Sequence, residues 1–302
     1  CTLRKEMRIL ILGATGMLGH VLFRELRKEG YDVYGTVRSL DGLDLFFSPE
    51  ELARIRPGVD AADFDTVIRA LAAIEPDLIV NCIGIVKQLP IARDPLISIT
   101  INAQLPHRLS MISKASKCRL VQISTDCVFN GKRGNYTEAD PSDAEDLYGR
   151  TKYLGEVSYP HCITLRTSII GHELKGNRSL LDWFLSQTGS VNGFAGVLYS
   201  GMTTLEMVNI LKAHIFPNPS LNGVYHISSD AISKFDLLQL CRSAYRHEIE
   251  IHREEQTKLD RSLDSSRFRA DTRYRPPSWP ATINQLAEYY RASGYLKGNM
   301  LR

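Results

Sequence analysis

Apolar runs alternate with segments of helical periodicity in the first half of the chain. Residues 8–12 form a short, mostly apolar run that predicts a buried parallel strand. From Met17 to Glu29 the apolar residues fall on one helical face, and Gly30 ends the predicted helix. The alternation continues with strands predicted at 31–37, 77–81, 119–124 and 161–166, and helices at 65–74 and 97–115. This pattern predicts a doubly wound parallel sheet with helices on both faces.

The alternation loosens after residue 166. We predict helices at 180–187, 204–214 and 234–244, strands at 224–228 and 248–252, and a break at 275–280 before a last helix at 281–292. Two domains are therefore expected. The first is the doubly wound domain at 7–166, and the second is a smaller mixed α/β lobe at 167–302, from which some segments return to the first.

The composition is that of an ordinary globular protein. The 302 residues are 43% hydrophobic and 24% charged, which excludes a disordered chain, a collagen-like chain and a coiled coil. The formal net charge is only +3 and there is no long Lys or Arg run, so we expect neither a nucleic-acid nor a membrane partner. No apolar run approaches the ~18 residues that a membrane span needs.

The cysteines favour a reducing compartment. All six are scattered, without a CxxC pair or an accompanying cluster of histidines. This spacing argues against a zinc site and a disulfide framework, so we expect reduced thiols, no bound metal and a cytoplasmic protein. Residues 1–6 contain no hydrophobic signal core, and we leave them out of the fold prediction.

A glycine-rich loop joins the first predicted strand to the first helix. It reads Gly13-Ala14-Thr15-Gly16-Met17-Leu18-Gly19, which has the form GxxGxxG. Gly13 suits a tight turn, Gly16 lets phosphates approach, and Gly19 lets helix and strand pack closely. The N-terminus of the helix then presents backbone N–H groups to an anion. The context predicts a Rossmann-type dinucleotide site lined by Gly13, Thr15, Gly16, Met17, Leu18 and Gly19.

The end of the second strand bears on which dinucleotide binds. An acidic residue there favours NAD, because it accepts hydrogen bonds from the ribose 2′-hydroxyl. This chain instead carries Arg38, whose guanidinium suits a 2′-phosphate. We therefore expect NADPH, with NADH as the second choice. The alternative is that Arg38 is only a solvated loop residue.

Tyr148 and Lys152 form a YxxxK motif, which places both side chains on one helical face. An ammonium close to a phenol favours the phenolate, so we expect Lys152 to lower the pKa of Tyr148 from its usual ~10. Thr125 follows the predicted strand at 119–124, at the sheet edge where open α/β folds place their sites. Because YxxxK is common by chance, a purely structural role for this motif stays open here.

Several ordered motifs together resemble the extended short-chain dehydrogenases/reductases, and within them the dTDP-4-dehydrorhamnose reductase group. They are the loop at 13–19, Asn81-Cys82-Ile83-Gly84, Ser124-Thr125-Asp126-Cys127-Val128-Phe129, the segment 148–152 with Gly155-Glu156, and Leu165-Arg166-Thr167-Ser168. The resemblance covers nearly the whole chain from Met7. It implies reduction of a nucleotide-linked 4-keto-6-deoxy sugar, in deoxysugar or cell-surface polysaccharide synthesis.

The resemblance also implies roles for individual residues. Thr125, Tyr148 and Lys152 match the catalytic triad of the family, in which the Tyr protonates the C4 oxygen as NADPH delivers hydride to C4, while the Thr hydrogen-bonds that oxygen. Further matches are the adenine-contacting pair Asp63-Phe64, the loop Cys82-Ile83-Gly84 beside the pyrophosphate and nicotinamide ribose, and the structural residue Asn102. Two alternatives stay open: Asp63 as a helix cap, and Asn102 as a partner of buried backbone.

The substrate end departs from the rhamnose pattern. Cys127 stands where the rhamnose enzymes usually carry Tyr, and it is similar to the cysteine that GDP-L-fucose synthase uses in epimerisation. That reaction also needs a His, which the stretch around residues 177–179 lacks, so a space-filling Cys is favoured. Lys87, Asp126 and Arg261 are our remaining candidates for substrate contacts.

Other functions remain open at this point. The β subunit of methionine adenosyltransferase resembles these reductases yet serves a partner enzyme, so a non-catalytic, cofactor-binding subunit is the main rival. A 4,6-dehydratase or 4-epimerase is a third possibility, although no Glu follows Asp126 as dehydratases usually require. The expected partners are a nucleotide sugar and a second copy of the chain in a homodimer.

Overall fold

A seven-stranded parallel sheet forms the centre of the structure. The computed structural model describes residues 7–293. Residues 1–6, which include Cys1, and residues 294–302 at the end of the predicted lobe lie outside the described residues. Seven strands belong to this sheet, and the others form smaller sheets. In chain order, the strands of the described residues are β1 Arg8–Leu12, β2 Asp32–Thr36, β3 Ile55–Arg56, β4 Leu78–Asn81, β5 Arg119–Thr125, β6 Cys162–Thr167, β7 Ile169–Ile170, β8 Ser190–Phe194, β9 Val197–Tyr199, β10 Met202–Thr203, β11 Gly223–His226, β12 Ile232–Ser233, β13 Glu250–Glu254 and β14 Leu259–Asp260. The order in the main sheet is β11-β6-β5-β4-β1-β2-β3, and each neighbouring pair is parallel.

Helices cover both faces of this sheet. They are α1 Met17–Lys28, α2 Pro49–Leu52, α3 Phe64–Ile74, α4 Pro95–Ser98, α5 Leu105–Ala115, α6 Leu147–Leu154, α7 Leu180–Ser186, α8 Thr204–Ile210, α9 Lys234–Tyr245, α10 Ser266–Thr272 and α11 Trp279–Ala292. Within the part of the chain that the structure describes, no helix combines the length and apolar character needed to cross a membrane.

The side chains of β1 alternate between two apolar clusters, one on each face of the sheet. Ile9 and Ile11 pack with residues of α1, α8 and α11, whereas Leu10 and Leu12 pack with residues of α3 and α5. Burial on both faces is the reason that the strand reads as a continuous apolar run. The predicted doubly wound Rossmann-type fold is confirmed.

The helix predicted at 97–115 is interrupted by a π-helical segment. Its parts are α4, a π segment at Ile99–Gln104, and α5. Pro106 has no N–H to donate to the carbonyl of Asn102, so the regular ladder is broken at that point. A Cβ on Gly155 would stand 1.9 Å from that carbonyl oxygen, so only glycine lets α6 approach so closely.

The predicted start of the last helix is wrong by two residues. α11 begins at Trp279, because Pro280 falls in its first turn, where the missing N–H costs no intrahelical hydrogen bond. The strand predicted at 248–252 is likewise displaced, since β13 spans Glu250–Glu254.

The remaining strands form small sheets beside the main one. β9 lies between β12 and β14, β8 pairs with β13, and β7 pairs with β10. β11 follows several of these elements in the chain, yet it pairs with β6 and extends the main sheet. The domain division at residue 166 stays a prediction.

Candidate active site

The glycine loop folds into a tight cradle between β1 and α1. Gly13 has a φ of +83°, which favours glycine. A Cβ on Gly19 would lie 2.1 Å from the Gly13 carbonyl oxygen, so this position requires glycine for packing. Gly16 caps α1 without a side-chain hydrogen bond to its first turn. The first-turn amides of α1 are therefore not taken up by a side-chain cap and suit a phosphate.

Neighbouring residues hold this loop in place. The Ala14 amide donates to the Thr36 carbonyl at 3.0 Å, and the Gly13 amide lies 3.3 Å from the Thr36 hydroxyl. Thr15 and Met17 are half-buried and Leu18 is buried. The loop is thus fixed against the end of β2.

Arg38 lies just beyond β2 with an exposed side chain. Its backbone carbonyl accepts from Gly58 at 3.1 Å, which anchors the main chain and leaves the guanidinium at the surface. The position at the carboxyl end of β2 is the one expected for a 2′-phosphate contact, and this role stays a prediction.

Asp63 acts as the cap of α3. Its carboxylate accepts from the Asp65 amide at 3.2 Å, and its side chain is exposed. The half-buried ring of Phe64 lies 5.5 Å from the Arg108 guanidinium carbon. Asp63 therefore caps the helix, as one of the two alternatives for this residue predicted. Its contact with adenine stays a prediction.

The loop after β4 lies against the glycine loop. A Cβ on Gly13 would stand 3.0 Å from Cγ1 of Ile83, and Cys82 and Gly84 are half-buried next to it. The Ile83 amide donates to the Asn81 side chain at 3.1 Å. The structure therefore places this segment against the glycine loop, and its contact with a cofactor stays a prediction.

Asn102 holds that loop from the π segment. Its side-chain carbonyl accepts from the Ile85 amide at 2.8 Å, and its side-chain amide donates to the Ile85 carbonyl at 3.0 Å. The same amide lies 3.3 Å from the Thr151 hydroxyl on α6. Asn102 thus ties the loop after β4 to the helix that carries Tyr148 and Lys152.

The predicted catalytic residues come together at the carboxyl edge of the sheet. Thr125 ends β5, and its hydroxyl accepts from the Cys127 amide at 3.1 Å and donates to the Asp126 carboxylate at 3.2 Å. The same hydroxyl interacts with the phenol of Tyr148. A Cβ on Gly149 would lie 2.2 Å from the Cys127 carbonyl oxygen, so the glycine lets α6 press against the turn at Asp126–Val128. This close packing positions the phenol of Tyr148 beside Thr125.

The pKa of Tyr148 is raised rather than lowered. Burial is the largest cause, the nearby Cys127 adds to it, and the neighbouring Thr125 hydroxyl acts in the opposite direction. The ammonium of Lys152 instead donates to the Ile123 carbonyl at 2.7 Å, and burial lowers its own pKa to about 8. The expectation that Lys152 lowers the pKa of Tyr148 is therefore wrong for this structure, because burial raises that pKa and the Lys152 ammonium is directed at the Ile123 carbonyl.

Cys127 is a protonated thiol at neutral pH. Burial, together with the neighbouring Asp126, raises its pKa to about 11. His172, a nearby histidine in the sequence, is buried and hydrogen-bonds both Asp182 and, at 3.0 Å, the hydroxyl of Tyr245. A Cys/His acid–base pair for epimerisation is thus not assembled around Cys127 by His172.

A buried ion pair lies next to the catalytic residues, and the sequence motifs did not assign it a role. Arg166 on β6 pairs with Glu156 at 2.6 Å, and both side chains are only 5% exposed. The Ser124 hydroxyl donates to the same carboxylate at 2.7 Å, and Glu156 raises the pKa of Lys152 against the effect of burial. Glu156 and Arg166 both lie within the motifs given above, so their opposite charges were the signal that could have indicated the ion pair.

Lys234 is a second residue that sequence reasoning missed. It is half-buried, and it interacts electrostatically with Asp126, Cys127, Lys87 and Arg261. Lys234 thus interacts with four residues near the catalytic turn, and a role of these residues in substrate binding stays a prediction. One charged residue at the start of a predicted helix does not by itself indicate a functional site, so the sequence pattern did not identify Lys234.

Known proteins resemble this chain in both sequence and fold. It is 26% identical over 235 residues to a probable low-salt glycan biosynthesis reductase of Haloferax volcanii, covering 74% of this chain and 75% of that protein. It is 27% identical over 176 residues to methionine adenosyltransferase 2 subunit beta of Danio rerio, covering 56% of this chain and 49% of that protein.

Among solved structures, dTDP-4-dehydrorhamnose reductase from Bacillus anthracis, in complex with NADP, superposes with a TM-score of 0.77. The match covers 94% of this chain and 99% of that one at 21% identity, which shows a shared fold. The family model of the RmlD substrate-binding domain matches residues 7–187. The chain therefore belongs to the RmlD substrate-binding domain family, as the sequence motifs predicted.

Proposed function

We propose that the protein is an NADPH-dependent reductase of the C4 keto group in a nucleotide-linked 4-keto-6-deoxy sugar. The observation that carries the proposal is the meeting of Thr125 and Tyr148 at the carboxyl edge of the sheet, with Lys152 on the same helix. The sequence similarity to a probable glycan biosynthesis reductase and, at 31% identity over 150 residues, to dTDP-4-dehydrorhamnose reductase of Streptomyces griseus supports this substrate class.

The residues present fit a dinucleotide. The cradle at Gly13 and Gly19 has no room for a Cβ at Gly19, and the first turn of α1 offers its amides to a pyrophosphate. Arg38 follows β2 with an exposed guanidinium, and a contact of this group with a 2′-phosphate would favour NADPH. When bound, this cofactor supplies hydride to the carbonyl carbon.

The side chains supply the proton and stabilise the charge. Because its pKa is raised by burial, Tyr148 keeps its proton at neutral pH and can act as a general acid toward the C4 oxygen. The Thr125 hydroxyl can donate a hydrogen bond to that oxygen as negative charge develops. Lys152, with a pKa of about 8, is protonated in most molecules at neutral pH and holds positive charge near the developing anion.

The test is NADPH absorbance with a panel of dTDP-, UDP- and GDP-linked 4-keto-6-deoxy sugars. We expect oxidation with one nucleotide class and a loss of at least roughly a hundredfold in kcat in the variant Tyr148→Phe, as for removal of a general acid. Tyr153→Phe is the matched control, because Tyr153 lies on the same helix but is 42% exposed. Equal rates in the two variants would contradict the assignment of Tyr148.

The similarity to methionine adenosyltransferase 2 subunit beta favours one other function, that of a non-catalytic subunit. It predicts NADPH binding without oxidation across the whole panel, together with co-purification of a partner enzyme. A tightly retained NAD would instead favour the epimerase or dehydratase alternative.

A homodimer and a cytoplasmic location belong to the same proposal. Leu96, Met111 and Leu154, on α4, α5 and α6, are 75%, 73% and 58% exposed and could be covered by a second copy. The cysteines at 82, 118, 127, 162 and 241 are free thiols, which suits a reducing compartment. Light scattering tests the oligomer: a monomeric mass at micromolar concentration would contradict it.

A further inference from the structure

A buried histidine lies directly behind the glycine loop. His20 stands near the start of α1, and its side chain is fully buried. Its Nδ1 lies 2.9 Å from the Gly16 carbonyl oxygen, which also accepts from the His20 backbone amide at 3.1 Å. The carbonyl at the N-terminus of α1 therefore has one more hydrogen bond than a regular helix gives it.

The partners of His20 determine which ring nitrogen carries the proton. A carbonyl oxygen only accepts hydrogen bonds, so the proton between His20 and Gly16 lies on Nδ1. Burial lowers the pKa of His20 to about 4, so the ring is neutral at pH 7 and its Nε2 is an acceptor. The Tyr290 hydroxyl lies 3.2 Å from Nε2 and therefore donates to it.

Tyr290 belongs to the last helix, α11, and is far from the glycine loop in the sequence. Its side chain is only 1% exposed, and its ring packs edge-on against His172 with 4.1 Å between the ring centroids. His172 in turn hydrogen-bonds Asp182 on α7 and Tyr245 on α9. These contacts fix the ring of Tyr290, whose hydroxyl then holds the imidazole of His20.

The orientation of the Gly16 carbonyl decides where the next amide points. The C=O and N–H of one trans peptide unit point in opposite directions. Because the Gly16 carbonyl is directed along α1 toward His20, the Met17 amide is directed out of the N-terminus of the helix. The Gly16 amide donates to the Gly13 carbonyl at 3.1 Å, which fixes the preceding peptide unit as well. Hydrogen bonds on both sides of Gly16 thus set the direction of an amide that suits a pyrophosphate.

We propose that Tyr290 is a positioning residue for the dinucleotide loop, acting through His20 on the Gly16 carbonyl. The inference rests on the proposed function, because this loop is the part of the site that would hold the pyrophosphate of the cofactor. It gives a task to α11, which lies outside the motifs of the loop and of the catalytic residues. A loop that already has its bound geometry loses less conformational freedom on binding, so the affinity for the cofactor is higher.

The test compares two hydroxyl deletions on the same helix. Tyr290→Phe removes the donor to His20 and keeps the ring that packs against His172. Tyr289→Phe is the matched control, because the Tyr289 hydroxyl also joins α11 to α1, but it donates to Glu25 at 2.8 Å, away from the loop. NADPH affinity is measured by calorimetry on the full chain, and the melting temperature shows that each variant is folded.

We expect Tyr290→Phe to weaken NADPH binding by roughly threefold to tenfold, as for the loss of one hydrogen bond, and Tyr289→Phe to change it by less than about twofold. In the turnover assay, the KM for NADPH should rise in Tyr290→Phe while kcat at saturating NADPH stays unchanged. A role limited to docking α11 on α1 would affect both variants alike.

A double-mutant cycle tests the path through His20. His20→Phe removes both hydrogen bonds of the imidazole, so it should weaken NADPH binding at least as much as Tyr290→Phe does. In that background Tyr290→Phe should cause no further loss, because the contact that it breaks is already absent. Additive losses would show that Tyr290 acts by another route. The comparison of Tyr290→Phe with Tyr289→Phe stands whether or not His20→Phe folds.

Wild-type NADPH affinity in Tyr290→Phe, or an equal loss in Tyr289→Phe, would overturn the inference. If a keto sugar is still reduced in that case, the reductase assignment stands. A wild-type chain that binds NADPH but oxidises it with none of the keto sugars would refute the reductase. Weaker NADPH binding by Tyr290→Phe in that same case would leave the positioning role in place.

Discussion

At the scale of single residues, burial decides protonation at this site. It keeps the proton on Tyr148 and on Cys127, and it brings the pKa of Lys152 down to about 8. The motif alone identifies these residues but gives the wrong direction for Tyr148. Desolvation of Tyr148 depends on how closely α6 packs against the turn after β5, and the spacing of a YxxxK motif does not determine that packing.

The activity should therefore depend on pH through Lys152. Its pKa is lowered from 10.5 to about 8, so the ammonium predominates below pH 8 and the neutral amine above it. We expect kcat/KM to be level from pH 6 to about 7.5 and to fall roughly tenfold per unit above 8, as charge beside the developing anion is lost.

Initial rates between pH 6 and 10 measure this profile. Lys152→Arg is the informative variant, because a guanidinium stays charged throughout that range and should remove the fall. A wild-type profile that remains level to pH 9.5 would show that the charge of Lys152 does not contribute.

At the scale of elements, close approach of backbones at glycine explains the site. Gly19 brings α1 against β1, Gly149 brings α6 against the catalytic turn, and Gly155 brings the end of α6 against the π segment. The order of motifs predicted the first of these contacts. The third was missed, although Pro106 inside the helix predicted at 97–115 was an available signal for the break.

Two glycines of the phosphate loop should respond differently to alanine. In Gly19→Ala the new methyl group meets backbone at 2.1 Å, so we expect a loss of about 1–3 kcal/mol in unfolding free energy from overpacking. In Gly16→Ala the nearest atom is at 3.4 Å, so stability should change much less while NADPH affinity falls. Urea unfolding and NADPH titration separate the two effects. Equal stability of the two variants would show that the loop yields more easily than its geometry indicates.

At the scale of the whole molecule, the alternation of strands and helices was enough to predict the main sheet. The lobe was less predictable, because its strands are two to five residues long and pair across large sequence separations. The electrostatic interaction of Lys234 with Lys87 joins residues far apart in the chain, so no local pattern predicts it. The division of the chain at residue 166 remains a prediction.

The ion pair between Glu156 and Arg166 joins several strands at once. Arg166 on β6 also lies 3.2 Å from His226 on β11, and Glu156 accepts from Ser124 on β5. Replacing one partner leaves a buried charge, so Glu156→Gln should cost about 3–5 kcal/mol of unfolding free energy. The exposed pair Lys132–Glu145 provides the control, since Glu145→Gln should leave the melting temperature unchanged. Denaturant titration of Glu156→Gln and Glu145→Gln tests this difference in unfolding free energy. Similar unfolding midpoints would mean that water reaches the buried pair.

The place of β11 in the sheet has a consequence for synthesis on the ribosome. β6 is complete at Thr167, but the strand that covers its outer edge begins only at Gly223. While the intervening segment is translated, β6 of the nascent chain has an open edge of unpaired backbone N–H and C=O groups. Such an edge can pair with another strand, so edge-to-edge association is open to the chain during this interval.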